Sequence, residues 1–490
     1  MNVLLLSMPD SFEHMPAFAI RMPNGGLASL AANVDRHHRV FIADLVLVQS
    51  SVRNTVAHLV REIEPDVVGL SVMTFQRTTA LRLAAFVRQL RPGVRVVVGG
   101  YDPSLAPDAY ESSRDVDFIV RGEGEQPFCR LLRALESGAD ATALAGVNRN
   151  PPGPPLRLET DPLRLPNRDA RVLRGYTLLG RTVDVVETSR GCTFDCSFCS
   201  IIEMRGRNFH PYPIDRVIAD IADARAHGAE AIFLVDDNIT LDVGRFEALC
   251  RAIIDAGFDD IDFFVQAMTA PLAQHGLWLA PLMKRAGFRY VFLGIENILD
   301  DDLRFLRARA KNARRDRGRT VGNASYEAIG HLHRHGMFVV GGLIVGNPDD
   351  TRESIEANLS FARTYVDWPY IQHPTPYPAT PMTTEFRARG LIVDEEPSHY
   401  DGTTAVVRSE HLSAEEIEFL RWRAERWMKL RHLPAALLHD PMFVLRHARQ
   451  MLVHTFAGTT LQSLMGLESA HDVFHRYREQ RRRDRERAAA

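Results

Sequence analysis

Short apolar runs recur along most of this 490-residue chain, and they fall into two series on either side of a proline-rich stretch. The first series covers residues 3–6, 40–43, 67–70, 94–98 and 118–120. The second covers residues 183–187, 231–235, 262–266, 290–294, 338–344 and 370–373. The runs of the first series are apolar throughout rather than alternating, which suits parallel strands buried on both faces. Segments with helical spacing lie between them, as at 79–90, 214–226 and 245–256. Such alternation predicts α/β architecture: a doubly wound sheet from the first series, and a partial (β/α)6 barrel from the six units of the second. Between them, Pro151-Pro152-Gly153-Pro154-Pro155 suits neither helix interior nor sheet centre. The expected division is 1–147, a proline-rich linker at 148–181, a barrel at 182–400 and a C-terminal helical domain at 401–490.

Composition narrows the function classes. Hydrophobic residues make up 45% and charged residues 25%, which supports sizeable cores and argues against global disorder. A net charge of -3 provides no bulk attraction to nucleic acid. Five cysteines in so long a chain are too few for a secreted disulfide scaffold, so a reducing cytoplasm is expected. The apolar run near the N-terminus is too short for a signal peptide and lacks a basic flank. No apolar stretch is long enough to span a bilayer.

Three of the five cysteines crowd together in Glu187-Thr188-Ser189-Arg190-Gly191-Cys192-Thr193-Phe194-Asp195-Cys196-Ser197-Phe198-Cys199. Thiolates are preferred ligands of iron–sulfur clusters. Three on one loop hold three corners of a cubane and leave the fourth iron open to a ligand with an amine and a carboxylate. Phe194 and Phe198 would limit water there. The alternative is zinc on the same cysteines with His210, a spacing that fits no common zinc module well. Cys129 and Cys250 sit in helical patterns as small core residues.

Barrel chemistry gathers at the C-terminal strand ends. Those ends carry Asp236-Asp237-Asn238, Gln266, Glu296-Asn297 and the run Gly341 to Asn347. One acid at a strand end is usually a cap or turn; several on one rim point to a ligand. In the first series the ends carry Ser71, Gly99-Gly100-Tyr101 and Gly122-Glu123-Gly124-Glu125. These glycines either make turns or let a flat ligand approach the backbone. No GxGxxG follows the first strand, which disfavours a dinucleotide.

The cysteine string resembles the signature of the radical S-adenosylmethionine superfamily. The pieces before it resemble the Rossmann-like cobalamin-binding domain that precedes many such enzymes, through Asp66 to Ser71, Gly99 to Ser104 and the Gly-Glu-Gly-Glu run at 122–125. Together they resemble the class B radical methyltransferases and the anaerobic magnesium-protoporphyrin ester cyclase-like enzymes. The resemblance implies a [4Fe-4S] cluster on Cys192, Cys196 and Cys199. It places the amino group of S-adenosylmethionine at Asp236 and Asp237, its methionine or ribose part at Gln266, its ribose hydroxyls at Glu296 and its adenine at Gly342, Ile344 and Gly346. It places cobalamin near Ser71, Gly99, Gly100, Gly122, Glu123 and Gly124. The Asp-x-His-x-x-Gly motif of other cobalamin proteins is missing. Asp35-Arg36-His37 lacks its glycine, so the lower face of the cofactor is expected to have no histidine ligand, and His37 and His38 read as surface residues. Relatives often have Pro-Gly-Thr-Pro after the sixth barrel strand; here Ala379 replaces the glycine.

The implied activity is C-methylation of an unactivated carbon through a 5′-deoxyadenosyl radical and methylcobalamin, with an electron donor such as flavodoxin or ferredoxin. An oxidative ring-forming cyclase is the nearest alternative, and a non-catalytic cobalamin or redox sensor the alternative from another class. Relatives act on small molecules that include lipids and tetrapyrroles.

At the C-terminal end, Ser413-Ala414-Glu415-Glu416 is a capping box ahead of an apolar-periodic run. Further on, Met442, Leu445, Met451 and Leu452 interleave with Arg446, His447 and Arg449. This pattern reads either as a helical cap packed on the barrel or as a basic amphipathic surface for peripheral contact with the inner membrane face. The arginine-rich residues 476–487 read as a solvated helix end.

Overall fold

Runs that are apolar on both faces need partners on both sides, and the first five find them in one another. In the computed structural model, which describes residues 1–11, 19–160, 162–316 and 319–489, they form a parallel sheet. Its strands are β1 (Asn2–Ser7), β2 (Arg39–Asp44), β3 (Val67–Ser71), β4 (Arg95–Gly99) and β5 (Phe118–Val120), in the order β2-β1-β3-β4-β5. Successive strand residues point to opposite faces. Leu4, Leu6, Val68 and Leu70 pack against Val56, Leu59, Leu83 and Val87 of helices Val52–Ile63 and Arg77–Leu90. Val3, Leu5 and Val67 pack against Leu27, Leu131 and Leu132 of helices Gly25–Asn33 and Glu125–Ser137. The register sets Ser7, Asp44, Ser71 and Gly99 in one row across the C-terminal edge.

The second series forms β6 (Arg181–Val186), β7 (Ala231–Leu234), β8 (Asp262–Met268), β9 (Phe288–Glu296), β10 (Phe338–Ile344) and β11 (Trp368–Gln372), parallel and in sequential order. This is the expected six-stranded partial barrel. Two short antiparallel strands extend its β6 edge: Thr177–Leu178, then Ile20–Arg21 from ahead of the first helix. The N-terminal segment therefore contributes to both sheets.

The proline-rich stretch is packed rather than free. Ile42 donates to Ala170 and accepts from Val172, so the linker pairs with the edge strand β2. Arg168 and Arg171 are buried, and both meet Asp184, at 2.9 and 2.8 Å. Proline forbids regular structure, but it does not forbid burial of neighbouring side chains with their charges paired.

The C-terminal helix Ala414–His439 has its capping box on Ser413 and Glu416, and it buries Ile417, Leu420 and Met428 against the barrel core. The next helix, Pro441–Thr455, buries Val444 and leaves Met442, Leu445, Leu452 and Val453 exposed. In the last helix, Ala470–Ala489, Phe474 packs on Phe419 and Trp422, while Arg481 reaches Asp401 at 3.2 Å in the interior. The arginine-rich end is thus anchored at Arg481, not solvated throughout; Arg485 and Arg487 lie outside the described side chains. No described helix is long and apolar enough to cross a membrane.

Candidate functional site

After β6 the chain pairs Ser189 and Arg190 antiparallel with Pro211 and His210, closing residues 191–209 into a loop. Gly191 opens it at φ +87, and a Cβ there would lie 2.6 Å from the Asn208 carbonyl oxygen. Only glycine takes that conformation at that spacing without strain. The Gly191 N–H donates to Asp237 at 2.7 Å and Arg205 donates to the same carboxylate at 3.2 Å. Arg207 donates to the Thr193 carbonyl at 2.8 Å. On the far side, the Ser197 N–H donates to the Leu306 carbonyl at 3.0 Å, and the Ser197 carbonyl accepts from the Met382 N–H at 2.9 Å.

Cys192, Cys196 and Cys199 are free thiols on this loop. Cys196 and Cys199 lie among Phe194, Phe198, Leu303, Leu306 and Phe386. Burial pushes the Cys199 thiol up to about 12 and raises that of Cys196 as well. Thiolates in such surroundings need positive charge beside them. Lys311 provides one, acting on both thiols, with its ammonium 5.4 Å from the Phe198 ring centroid. The iron of a cluster would provide the rest, and the donor set fits that group. Asn238 adds a donor 3.7 Å from the Cys192 sulfur, and also lies 3.0 Å from the Met268 sulfur. Zinc with Zn–S bonds of about 2.3 Å would draw its sulfurs to within roughly 4 Å of one another. Among the described residues, the donors gathered within 4.8 Å are His37, His38 and Glu136, not these cysteines. His210 sits in the ladder at the loop's base, beside Arg190.

The rim residues divide by what they touch. Asp236 is buried and accepts from the Thr188 N–H at 2.7 Å, the Thr188 hydroxyl at 2.6 Å and the Ser189 hydroxyl at 2.5 Å. Burial still pushes its carboxyl up to about 6. It fastens the end of β7 to the chain leaving β6, while Asp237 fastens the cysteine loop. Burial raises the Asp237 carboxyl too, against the pull of Arg205. Gln266 is half-buried on β8 beside Phe292 of β9. Glu296 ends β9 at φ +59, where the register with β10 slips. A non-glycine residue held there costs on the order of 1–3 kcal/mol, and such strain collects at functional sites.

Glu296 meets the Lys311 ammonium at 2.5 Å. Lys311, on the short helix Arg309–Asn312, therefore links this rim acid to the cysteine loop. Sequence reading missed it because no motif surrounds it. One signal was available: of 59 basic residues only Lys284, Lys311 and Lys429 are lysine.

The two glycines expected to pack adenine face protein. A Cβ on Gly342 would lie 2.9 Å from the Phe292 ring, and one on Gly346 2.8 Å from Ile417. Neither position is an open notch; an aromatic residue of β9 and the C-terminal helix fill them. His373 is likewise a core residue. Its Nδ1 lies 3.2 Å from the Val345 carbonyl, and burial with Arg421 nearby pushes the ring down to about 3.

The C-terminal edge of the first sheet faces the cysteine loop. The sheet order reverses between β1 and β3, the place where doubly wound sheets take ligands. There the Ser71 hydroxyl accepts from Asn24, the N-cap of helix Gly25–Asn33, at 3.2 Å. Gly100 turns at φ +105, with the Val72 carbonyl 2.8 Å from where a Cβ would stand. The Gly100 turn is shaped by the Val72 backbone, and Ser7, Asp44 and Ser71 give this edge its polar side chains. Tyr101, next in the chain, starts a short helix packed on Ser200–Arg205, the helix that follows Cys199. Burial raises its phenol, and Arg205, Asp237 and Cys199 all act on it. Arg190 donates to Glu125 at 2.7 Å and to Glu123 at 3.5 Å across the same junction. His37 and His38 precede β2, at the opposite edge of the sheet. His37 is exposed as expected, but His38 is buried against the N-terminal amine.

Residues 18–132 match the B12 binding domain family and residues 186–362 the Radical SAM superfamily. An uncharacterized methyltransferase of Pyrococcus horikoshii is 28% identical over 93% of this chain and 99% of its own length. The hopanoid C-3 methylase of Methylococcus capsulatus is 29% identical over 66% of this chain, which spans 62% of that protein. Among solved structures, the radical S-adenosylmethionine methyltransferase TsrM of Kitasatospora setae, with cobalamin and a [4Fe-4S] cluster bound, superposes with a TM-score of 0.64 at 19% identity, over 79% of this chain and 78% of its own. That likeness concerns the fold.

Proposed function

We propose that this chain, a radical S-adenosylmethionine protein with a B12 binding domain ahead of its barrel, is a cobalamin-dependent methyltransferase acting on an unactivated carbon of a small molecule. The observation that carries this reading is the abutment of two sites: the C-terminal edge of the first sheet, at Tyr101, Glu123 and Glu125, meets the loop that bears the three cysteines. The two cofactors, when bound, supply an electron for cleaving S-adenosylmethionine and a methyl group for transfer. The chain's own residues do the rest. Cys192, Cys196 and Cys199 hold the cluster. Phe194, Phe198 and Phe386 keep water from it. Asp237 and Arg207 hold the loop's shape, and Lys311 offsets the charge of its thiolates. Gln266 and Glu296 are the rim side chains we assign to S-adenosylmethionine; Asp236 and Asp237 act behind them by fixing the loop. Ser71 and Gly99 are assigned to cobalamin, with Gly100 making the turn beside them. The expected domain boundaries are kept as a proposal, with the linker at 148–181 read as a packed connector.

The test is anaerobic reconstitution with iron, sulfide and hydroxocobalamin, followed by reduction with S-adenosylmethionine. Mass spectrometry then follows 5′-deoxyadenosine and S-adenosylhomocysteine, with a Cys192/Cys196/Cys199→Ala control. Both products from the wild type and neither from the control are expected. Deoxyadenosine without any S-adenosylhomocysteine would replace methylation by ring formation. Cofactor binding with neither product would favour a sensor.

The finer proposal concerns location and substrate. Met442, Leu445, Leu452 and Val453 lie exposed on one helix with Arg446 and Arg449 among them, an apolar face with basic residues suited to an anionic membrane surface. A lipid or other apolar substrate fits such a surface. Co-sedimentation with anionic vesicles that survives Met442→Gln, Leu445→Gln and Val453→Gln together would sink this part.

A further inference from the structure

The Gly-Glu-Gly-Glu run at 122–125 lies at the end of β5, where the sequence pattern points to a cofactor and the contacts point to protein. A Cβ on Gly122 would stand 3.0 Å from Pro152 of the linker, and one on Gly124 2.7 Å from Leu30 of helix Gly25–Asn33. Each has protein beside it, a proline ring at Gly122, which also holds φ +73, and a leucine methyl at Gly124. Glu123 accepts from the Leu156 N–H at 2.7 Å through one oxygen, and its other oxygen lies 3.5 Å from Arg190. Glu125 accepts from Ser29 at 2.7 Å and from Arg190 at 2.7 Å, with both members of the ion pair 5% exposed. The third carboxylate on Arg190 is Glu187, at 2.7 Å, which also accepts from Tyr212 at 3.2 Å. One guanidinium is thus enclosed by carboxylates from both sides of the junction. It belongs to the residue whose backbone pairs with His210 at the base of the cysteine loop, two positions before Cys192.

We infer that residues 122–125 are a latch rather than a cofactor cradle: Glu123 and Glu125 grip Arg190 and thereby set the first sheet against the cysteine loop. Arg190 is a positioning residue. Glu187, three residues away on the same segment, also holds Arg190, so replacing Glu125 leaves the guanidinium paired on its own side while the first sheet loses its short ion pair and the junction loosens. What the fixed separation serves rests on the proposed methyltransferase reading. The latch itself does not.

The first test uses the full-length protein before any cofactor is added. Hydrogen–deuterium exchange is followed by mass spectrometry in segments 118–128 and 187–200 for the wild type, Glu125→Gln, and Glu123→Gln combined with Glu125→Gln. Glu125→Gln should speed exchange in both segments about tenfold, and the double variant, which removes both carboxylates of the first sheet while Glu187 stays on Arg190, should speed it at least as much. Unchanged exchange in Glu125→Gln, or faster exchange confined to segment 118–128, would overturn the latch. The second test uses protein loaded with cobalamin and cluster. Pulsed electron paramagnetic resonance reads the separation of cob(II)alamin from the reduced cluster, and the visible spectrum reads retained cobalamin. A broadened separation with cobalamin retained is expected for Glu125→Gln. Loss of cobalamin from Glu123→Gln and Glu125→Gln with wild-type exchange would make these residues ligands and refute the inference. A wild type that cleaves no S-adenosylmethionine yet shows the expected exchange pattern would count against the function alone.

Discussion

Gly191→Ala and Gly206→Ala together separate backbone strain from steric exclusion within one loop. Both glycines have positive φ, +87 and +77, and Gly206 with ψ 173 lies in a region essentially reserved for glycine. An alanine held in such a conformation costs roughly 1–3 kcal/mol. At Gly206 nothing further is added, because the nearest atom to a new Cβ is the Asn208 side-chain nitrogen at 3.8 Å. At Gly191 a new Cβ meets the Asn208 side-chain oxygen at 2.2 Å and its backbone oxygen at 2.6 Å. The side chain can rotate away. The backbone oxygen cannot, because Asn208 stands two residues from the ladder that closes the loop. Overpacking of this kind adds roughly 1–3 kcal/mol. The total at Gly191 is about 2–6 kcal/mol against about 1–3 at Gly206. If the cluster needs the ordered loop, iron affinity falls about thirtyfold to ten-thousandfold for Gly191→Ala, and about five- to a hundredfold for Gly206→Ala. Iron and acid-labile sulfide per polypeptide, measured after anaerobic reconstitution over a range of limiting iron, give the comparison. Equal retention by the two variants would refute the argument from Asn208, and wild-type retention by Gly191→Ala would refute the loop geometry itself.

Lys311→Met leaves Glu296 buried without its partner, and should destabilise the cofactor-free protein by about 3–5 kcal/mol in chemical denaturation. Adding Glu296→Gln should recover most of that loss, and no recovery would mean that the pair is not the relevant contact. Ala379 holds φ +65, a conformation that favours glycine. Ala379→Gly relieves roughly 1–2 kcal/mol of strain, less about 0.4–1 kcal/mol for the freer unfolded chain, so its thermal midpoint should hold or rise slightly; a clear fall would show that the left-handed turn is not strained. Burial raises the Glu125 carboxyl, but Arg190 and Ser29 overcome it and hold the group at about 2, below the ordinary 4.5. A depressed acid contributes stability that is full above its unfolded value and is lost as pH falls toward the folded one, here about 3 kcal/mol between roughly pH 5 and pH 2. The stability gap between wild type and Glu125→Gln should therefore shrink from pH 6 to pH 3, whereas a constant gap would show that the Glu125 charge does not matter.

The parallel strands were legible because their periodicity is local. Residues 118–120 and 338–344 match observed strands end to end, and the other runs shift by a residue or two at their ends, as fraying and pairing dictate. The three cysteines were legible because a cluster loop needs its ligands close in sequence. Lys311 was not, since its value lies in meeting Glu296 and the thiols across a turn that no local pattern encodes. The Gly-Glu-Gly-Glu run shows the same limit from the other side. Its glycines and acids are what a cofactor cradle or a packed junction would each require, and only Pro152, Leu30 and Arg190, brought there from elsewhere in the chain, show which neighbours they have. Proline excludes helix and sheet centre from the linker, and that says nothing of Arg168 and Arg171, which bury their charges on Asp184. The sequence by itself determined which elements form and which thiols can hold a cluster, because periodicity and ligand spacing act over a few residues. The tertiary structure alone decided which acids face the rim, which fasten the loop and which join the two sheets, because a buried charge takes its role from its partner, and these partners come from distant parts of the chain.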